Sequence, residues 1–187
     1  MKTDDGPLAW AAIDCLCCLL LVVYVLIAPV AKKKADPTVA TPGLIAVAIE
    51  WPSGDDDVDL YVRDPLGNIV WFGATSGGLM HLEHDDLGLY NDQVASRTVT
   101  RNGERVVLRG VTPGEYVANA HMYRKGTRGE TPVRAELWRL MGDDTLVKEA
   151  TVMLRDYGDQ GTEFRFTVDA RGRVTETNRL SYVMPKQ

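Results

Sequence analysis

From Leu8 to Val30 the chain runs 23 residues with a single charge, Asp14, and a single proline, Pro29. No other stretch restricts the possible folds so strongly. At about 1.5 Å per residue, a helix of that length reaches roughly 35 Å, more than the ~30 Å hydrocarbon core of a bilayer. A helix apolar on every face has no side to offer water, so the run predicts a transmembrane helix over 8–30. A cleaved secretory signal would need a basic start, a shorter apolar run and a small-x-small exit. Here the start is Met1-Lys2-Thr3-Asp4-Asp5 and the exit is Ala28-Pro29-Val30-Ala31, so a retained segment is the better reading.

The rest of the chain divides around that run. Residues 1–7 form a short tail. Residues 31–42 read as a linker, with Lys32-Lys33-Lys34 suited to lipid headgroups and Pro37 and Pro42 opposing regular structure. Residues 43–187 are enough for one ordinary domain. The net charge is −5; Lys2 against Asp4, Asp5 and Asp14 gives −2 for residues 1–30, which leaves −3 for the remainder. That mild acidity, with no basic stripe, excludes a nucleic-acid partner. Cys15, Cys17 and Cys18 all lie in the apolar run, so residues 43–187 must be held together without internal disulfides.

Beyond Gly43 the hydrophobic period is two, punctuated by Gly, Pro, Asn and Asp. Strands are expected over Leu44–Ile49, Val58–Val62 and Ile69–Phe72, the last two joined by a turn at Asp64-Pro65-Leu66-Gly67-Asn68. Further strands are expected at Arg105–Leu108, Gly114–Tyr123, Pro132–Leu140, Val147–Leu154 and Thr162–Val168. Short strands with frequent turns predict an antiparallel sandwich. The expected fold class is one N-terminal transmembrane α-helix followed by an all-β antiparallel sandwich domain.

A carboxylate in hydrocarbon costs about 2.5 kcal/mol or more at a helix centre, so Asp14 is a functional candidate. A carboxyl group that alternates between neutral and charged forms is what a proton relay needs. Taking about 100° per residue, Trp10, Ala11, Cys17, Cys18, Leu21 and Val25 flank Asp14 on one face. Their small or modest side chains would let a second helix approach closely. The competing reading is an aspartate that only organises helix association.

The segment from Asp14 through the Leu/Val run to Ala28-Pro29 resembles the membrane segment of the ExbD, TolR and MotB proteins. The resemblance covers about 30 residues and implies a homodimer of this helix inside a pentameric partner of the MotA, ExbB or TolQ type. Asp14 would then carry protons to drive rotation, and the sandwich would serve as the output or anchor domain. It also implies a bacterial inner-membrane protein with a periplasmic C-terminal domain and a periplasmic target. The positive-inside rule, applied to Lys32-Lys33-Lys34, points to the opposite orientation. The alternative function is a membrane-tethered, non-catalytic binding or scaffold protein.

In the extramembrane part, Asp57-Val58-Asp59-Leu60-Tyr61-Val62-Arg63-Asp64-Pro65-Leu66-Gly67 resembles the D-x-D-L-x-V-x-D-P-x-G signature of secreted bacterial β-sandwich modules. Ser76-Gly77-Gly78-Leu79, Asp85-Asp86-Leu87-Gly88 and Thr112-Pro113-Gly114-Glu115-Tyr116 extend that resemblance, which implies a non-catalytic binding or spacer domain. Calcium is the one candidate cofactor, since Asp55, Asp57 and Asp59 alternate and Asp85 can join them. Against it, no loop reads as an EF-hand. His81 and His84, with Glu83 and Asp85, fit no transition-metal motif. His121 reads as a strand residue beside Tyr123. No nucleophile elbow, phosphate loop or Ser/His/Asp arrangement is present, so no enzymatic activity is expected.

Overall fold

The structure, a computed structural model, describes residue 10 and residues 13–20, 43–84 and 101–185. The chain separates into two compact units, Met1–Ala40 and Thr41–Gln187.

In the first unit Trp10 and residues 13–20 are helical, and Ile13, Leu16, Leu19 and Leu20 are exposed. Eight residues rise only about 12 Å, well short of the ~30 Å that a bilayer core demands. Among the described residues no helix is long and apolar enough to cross a membrane. The expected fold class, a spanning helix followed by a sandwich, is corrected on this finding. So are the single-pass inner-membrane location and the membrane, proton-channel and motor character read from the span. Asp14, Cys17 and Cys18 sit in the short exposed helix. Ala11, Leu21, Val25 and the linker over 31–42 lie outside the described residues.

The second unit is built from strands. In chain order they are β1 (Ile45–Pro52), β2 (Asp57–Arg63), β3 (Ile69–Val70), β4 (Ser76–Gly77), β5 (Met80–His84) and β6 (Arg101–Leu108). Then come β7 (Gly114–Arg124), β8 (Thr131–Arg139), β9 (Thr145–Leu154), β10 (Gln160–Val168) and β11 (Val174–Asn178). They form two sheets, ordered β4-β5-β6-β1-β8-β9 and β11-β10-β7-β2-β3, with every pairing antiparallel. One apolar core joins them. The first sheet contributes Ile45, Val47, Ile49 and Trp51 from β1, and the second contributes Val58, Leu60 and Val62 from β2 and Phe164 and Phe166 from β10. Alternation with period two puts these residues on the inner faces and leaves Asp59, Tyr61 and Arg63 on the outer face of the second sheet.

Local chemistry fixes the connections. In the β2–β3 hairpin the Asp64 Oδ1 accepts the amides of Leu66 (2.9 Å) and Asn68 (2.8 Å), while Gly67 takes a φ of 93°. An aspartate that bonds its own turn and a glycine free of Cβ strain are what this turn requires. At the entry to β7 the Tyr116 hydroxyl donates to the Thr112 carbonyl (3.0 Å) and accepts the Thr112 amide (3.1 Å), a tyrosine corner. Burial is the chief reason that the Tyr116 phenol titrates above its usual range. Just after β1, Asp56 is almost wholly buried. It accepts the amides of Gly126 (2.9 Å) and Thr127 (2.8 Å), the Thr127 and Thr131 hydroxyls, and the Lys125 ammonium at 3.0 Å.

Five strands depart from the sequence reading. β4, β5 and β11 lie outside the strands expected from the sequence; β4 has two residues and β5 and β11 five each. β1 continues through Pro52, which is tolerated at a strand end where no amide is needed. β3 stops at Val70, two residues before the expected end, and Trp71 keeps only a bridge to Ala74. Because β3 pairs only with Val62 and Arg63, the amide of Leu60 looks past it and donates to Glu104 Oε2 of β6 at 2.7 Å.

Candidate functional site

The outer face of the second sheet is organised in cross-strand rows set by register. Asp59 of β2 stands opposite His121 of β7, which stands opposite Gln160 of β10. The next row is Tyr61, Asn119 and Thr162, and the third is Arg63, Val117 and Arg165. The chain segment after β11 lies back across these rows. Asn119 Nδ2 donates to the Tyr182 carbonyl (2.7 Å), the Tyr182 amide to Thr162 Oγ1 (2.8 Å), and the Met184 amide to Gln160 Oε1 (3.0 Å). Met184 is buried against Tyr61 and Val117. The Tyr182 ring has the guanidinium of Arg63 at 5.6 Å and that of Arg165 at 6.0 Å. Residues of three strands therefore hold this strap.

Beside the strap opens a cleft of about 600 Å³. Tyr61, His121 and Gln160 form its floor, and Pro185 of the strap forms one edge. Its walls are aromatic. Trp71 and Phe72 come from the turn after β3, Tyr123 from the end of β7 and Tyr157 from the β9–β10 turn. Each wall is held by backbone structure. The Trp71 amide donates to the Ala74 carbonyl and the Ala74 amide to the Trp71 carbonyl, closing a tight loop. Within it, a Cβ on Gly73 would overlap the Trp71 ring. The Gly158 amide donates to the Met122 carbonyl, and Asp159 Oδ2 accepts the amides of Arg155 and Asp156, so the turn carrying Tyr157 is tied to β7.

The rings form one connected group. Tyr61 and Trp71 stack with centroids 5.5 Å apart and planes 15° apart. Trp71 and Phe72 meet at 4.5 Å and 81°, and Phe72 and Tyr123 at 5.2 Å and 64°. His121 stands edge-on to Tyr61 at 5.4 Å. Edge-to-face and offset stacking are the favourable geometries for rings with negative faces and positive edges. Yet Tyr123 remains 46% exposed and Tyr157 75% exposed, so substantial aromatic surface stays open to solvent. Asp59 Oδ2 lies 3.6 Å from His121 Nδ1. Burial foremost, and then the charges of Asp59 and Glu104, push the Tyr61 phenol up to about 12. Tyr61 is therefore a neutral phenol throughout the ordinary pH range.

Of the residues expected to bind calcium, the described Asp55, Asp57 and Asp59 do not form a metal-holding group. Asp55 lies in an exposed loop with Arg124 at 3.7 Å. Asp57 stands beside the β2–β7 register shift, Asp59 faces His121, and Asp85 lies outside the described residues. Among the described residues no group of three or more His, Cys, Asp or Glu is arranged to hold a metal. His81 Nδ1 shares a hydrogen bond with Ser76 Oγ (2.7 Å), and Glu83 lies near Arg105 and Arg109. The most engaged carboxylate of the acidic run is Asp56, which alternation had passed over. The cleft residues Trp71, Phe72, Tyr123, Tyr157 and Gln160 were likewise unmarked as a site. The available signal was the shared outward parity of Tyr61, His121 and Tyr123 with an aromatic pair at the end of a hairpin.

No protein-family model matches the chain, and no curated protein or solved structure matches it either.

Proposed function

We propose that the sandwich unit is a non-catalytic recognition module that takes its ligand in the aromatic cleft. The observation that carries this reading is the grouping of Trp71, Phe72 and Tyr123 around one concavity with polar groups at its floor. Small-molecule sites are typically clefts of roughly 300–1,000 Å³ with aromatic walls and a few convergent polar groups, and 600 Å³ falls within that range. Clustered exposed aromatic surface is costly to leave in water without a use. The floor side chains stand on paired strands, which hold a recognition surface more firmly than loops do. The chemistry on offer also suits binding rather than bond-breaking: ring faces, a phenol, an imidazole and an amide. The resemblance of the Asp57–Gly67 stretch to secreted sandwich modules supports the same reading.

A fragment screen by NMR on the full chain tests it. Ligands should shift the Trp71 indole and the side chains of Phe72 and Tyr123 first, and Trp71→Ala should abolish those shifts. Hits that instead gather in the groove beside Trp51 and Arg134, or spread over the surface, would sink the proposal.

A further inference from the structure

We infer that the cleft is an aromatic cage for a compact organic cation, a methylated ammonium group such as that of choline or a trimethylated lysine. This rests on the reading of the cleft as a binding site and names what binds there.

Ring orientation carries the inference. A saccharide ring stacks best on one open plane, or on several rings lying in nearly the same plane. Here the planes turn sharply from wall to wall: 81° between Trp71 and Phe72 and 64° between Phe72 and Tyr123. Faces set at large angles around one space enclose a small globular group, and the negative face of each ring attracts a positive one. Trp71 is the best ring type for such a contact, and its parallel stack on Tyr61 fixes its orientation. Charge agrees with shape. Among the described residues no lysine or arginine lines the cleft, and the buried Asp59 carboxylate lies 3.6 Å from His121 of its floor. The hydroxyl of Tyr61 and the imidazole of His121 are left to meet the polar remainder of such a ligand. A methylated ammonium also has few or no N–H groups, so it gives up fewer hydrogen bonds on leaving water than a primary ammonium would.

Intrinsic tryptophan fluorescence and NMR of the full chain, titrated with choline chloride, test the inference. The control is 3,3-dimethylbutanol, which has the shape of choline without its charge, and a third probe is a chitin trisaccharide. Choline should bind about ten-fold more tightly than the neutral isostere. Tyr123→Leu, at a half-exposed position that leaves the Tyr61–Trp71 stack intact, should weaken choline by several-fold, and Trp71→Leu should abolish binding. Equal affinity for choline and the isostere would overturn the cation assignment while leaving the cleft as a binding site. So would binding of the trisaccharide alone. If no probe and no fragment perturbs the cleft, the recognition reading itself fails, and the cation assignment with it.

Discussion

Thr127 holds Asp56 twice: its amide reaches Oδ1 at 2.8 Å and its hydroxyl reaches Oδ2 at 2.6 Å. With Gly126, Thr131 and Lys125 this makes a five-donor clamp between the β1–β2 loop and the β7–β8 loop. Burial alone would favour the neutral acid. The Thr127 and Thr131 hydroxyls, the Thr127 amide and the Lys125 ammonium outweigh it and hold the carboxyl well below the usual carboxylate range.

Replacing Asp56 by Ala leaves Lys125 and several donors without their acceptor. Truncating one partner of a buried, hydrogen-bonded charge pair costs roughly 3–5 kcal/mol. Asp56→Ala should therefore lower the urea midpoint sharply with an unchanged m-value, whereas Asp55→Ala, in the exposed part of the same run, should change it little.

The depressed pKa of Asp56 also fixes a pH window. The unfolded chain takes up a proton at this site near 3.8, and the folded chain does so only at lower pH. Its stabilising contribution is present above about pH 4 and is lost as pH falls below that value. Thermal melts between pH 5 and pH 2 should show a steep fall in Tm that is visibly shallower in Asp56→Asn.

Glu163 titrates in the opposite direction. It sits at the register shift in β10 with no exposed surface, and neither carboxyl oxygen makes a well-formed hydrogen bond. Burial raises its pKa from 4.5 to about 8, against the opposing pull of the Arg179 charge and the nearby Val152 amide. The folded state keeps this proton while the unfolded chain releases it, so stability should decline as pH rises from about 4.5 to about 8 and then level off. Glu163→Gln should flatten that decline; a wild-type Tm that rises over this window would contradict the assignment.

The tyrosine corner gives a more local test. Tyr116→Phe removes one hydroxyl and strands both the amide and the carbonyl of Thr112. The expected loss is about 1 kcal/mol, the net worth of hydrogen bonds to partly buried backbone groups. Gly114→Ala should also destabilise, because φ at that position is 138° and the new Cβ would press on Pro65. Chemical denaturation of both variants measures the two effects.

Strand positions were readable wherever alternation ran long enough. Val58, Leu60 and Val62 marked the inner face of β2, and Asp64 with Gly67 marked its turn. β4 and β11 have too few residues for a period to show. The N-terminal expectation is not met among the described residues, where no helix is long and apolar enough to cross a membrane. The site was harder to read because its residues come from five separate places in the chain. Register alone sets Asp59 and Gln160 on either side of His121, and a tight loop around Gly73 turns Trp71 toward Tyr61. The acidic run drew attention to the alternating aspartates, but burial and the donors of the β7–β8 loop single out Asp56.

The bond from Leu60 to Glu104 bears on how the molecule avoids its own kind. β3 shields only the last part of β2, so the flank at Leu60 is where a strand from another molecule would add. A side chain from the opposite sheet already occupies that donor and brings a buried carboxylate with it. An incoming strand would have to displace Glu104 and seat its own backbone beside that charge. The contact that ties the two sheets together thus also discourages edge-to-edge association through β2.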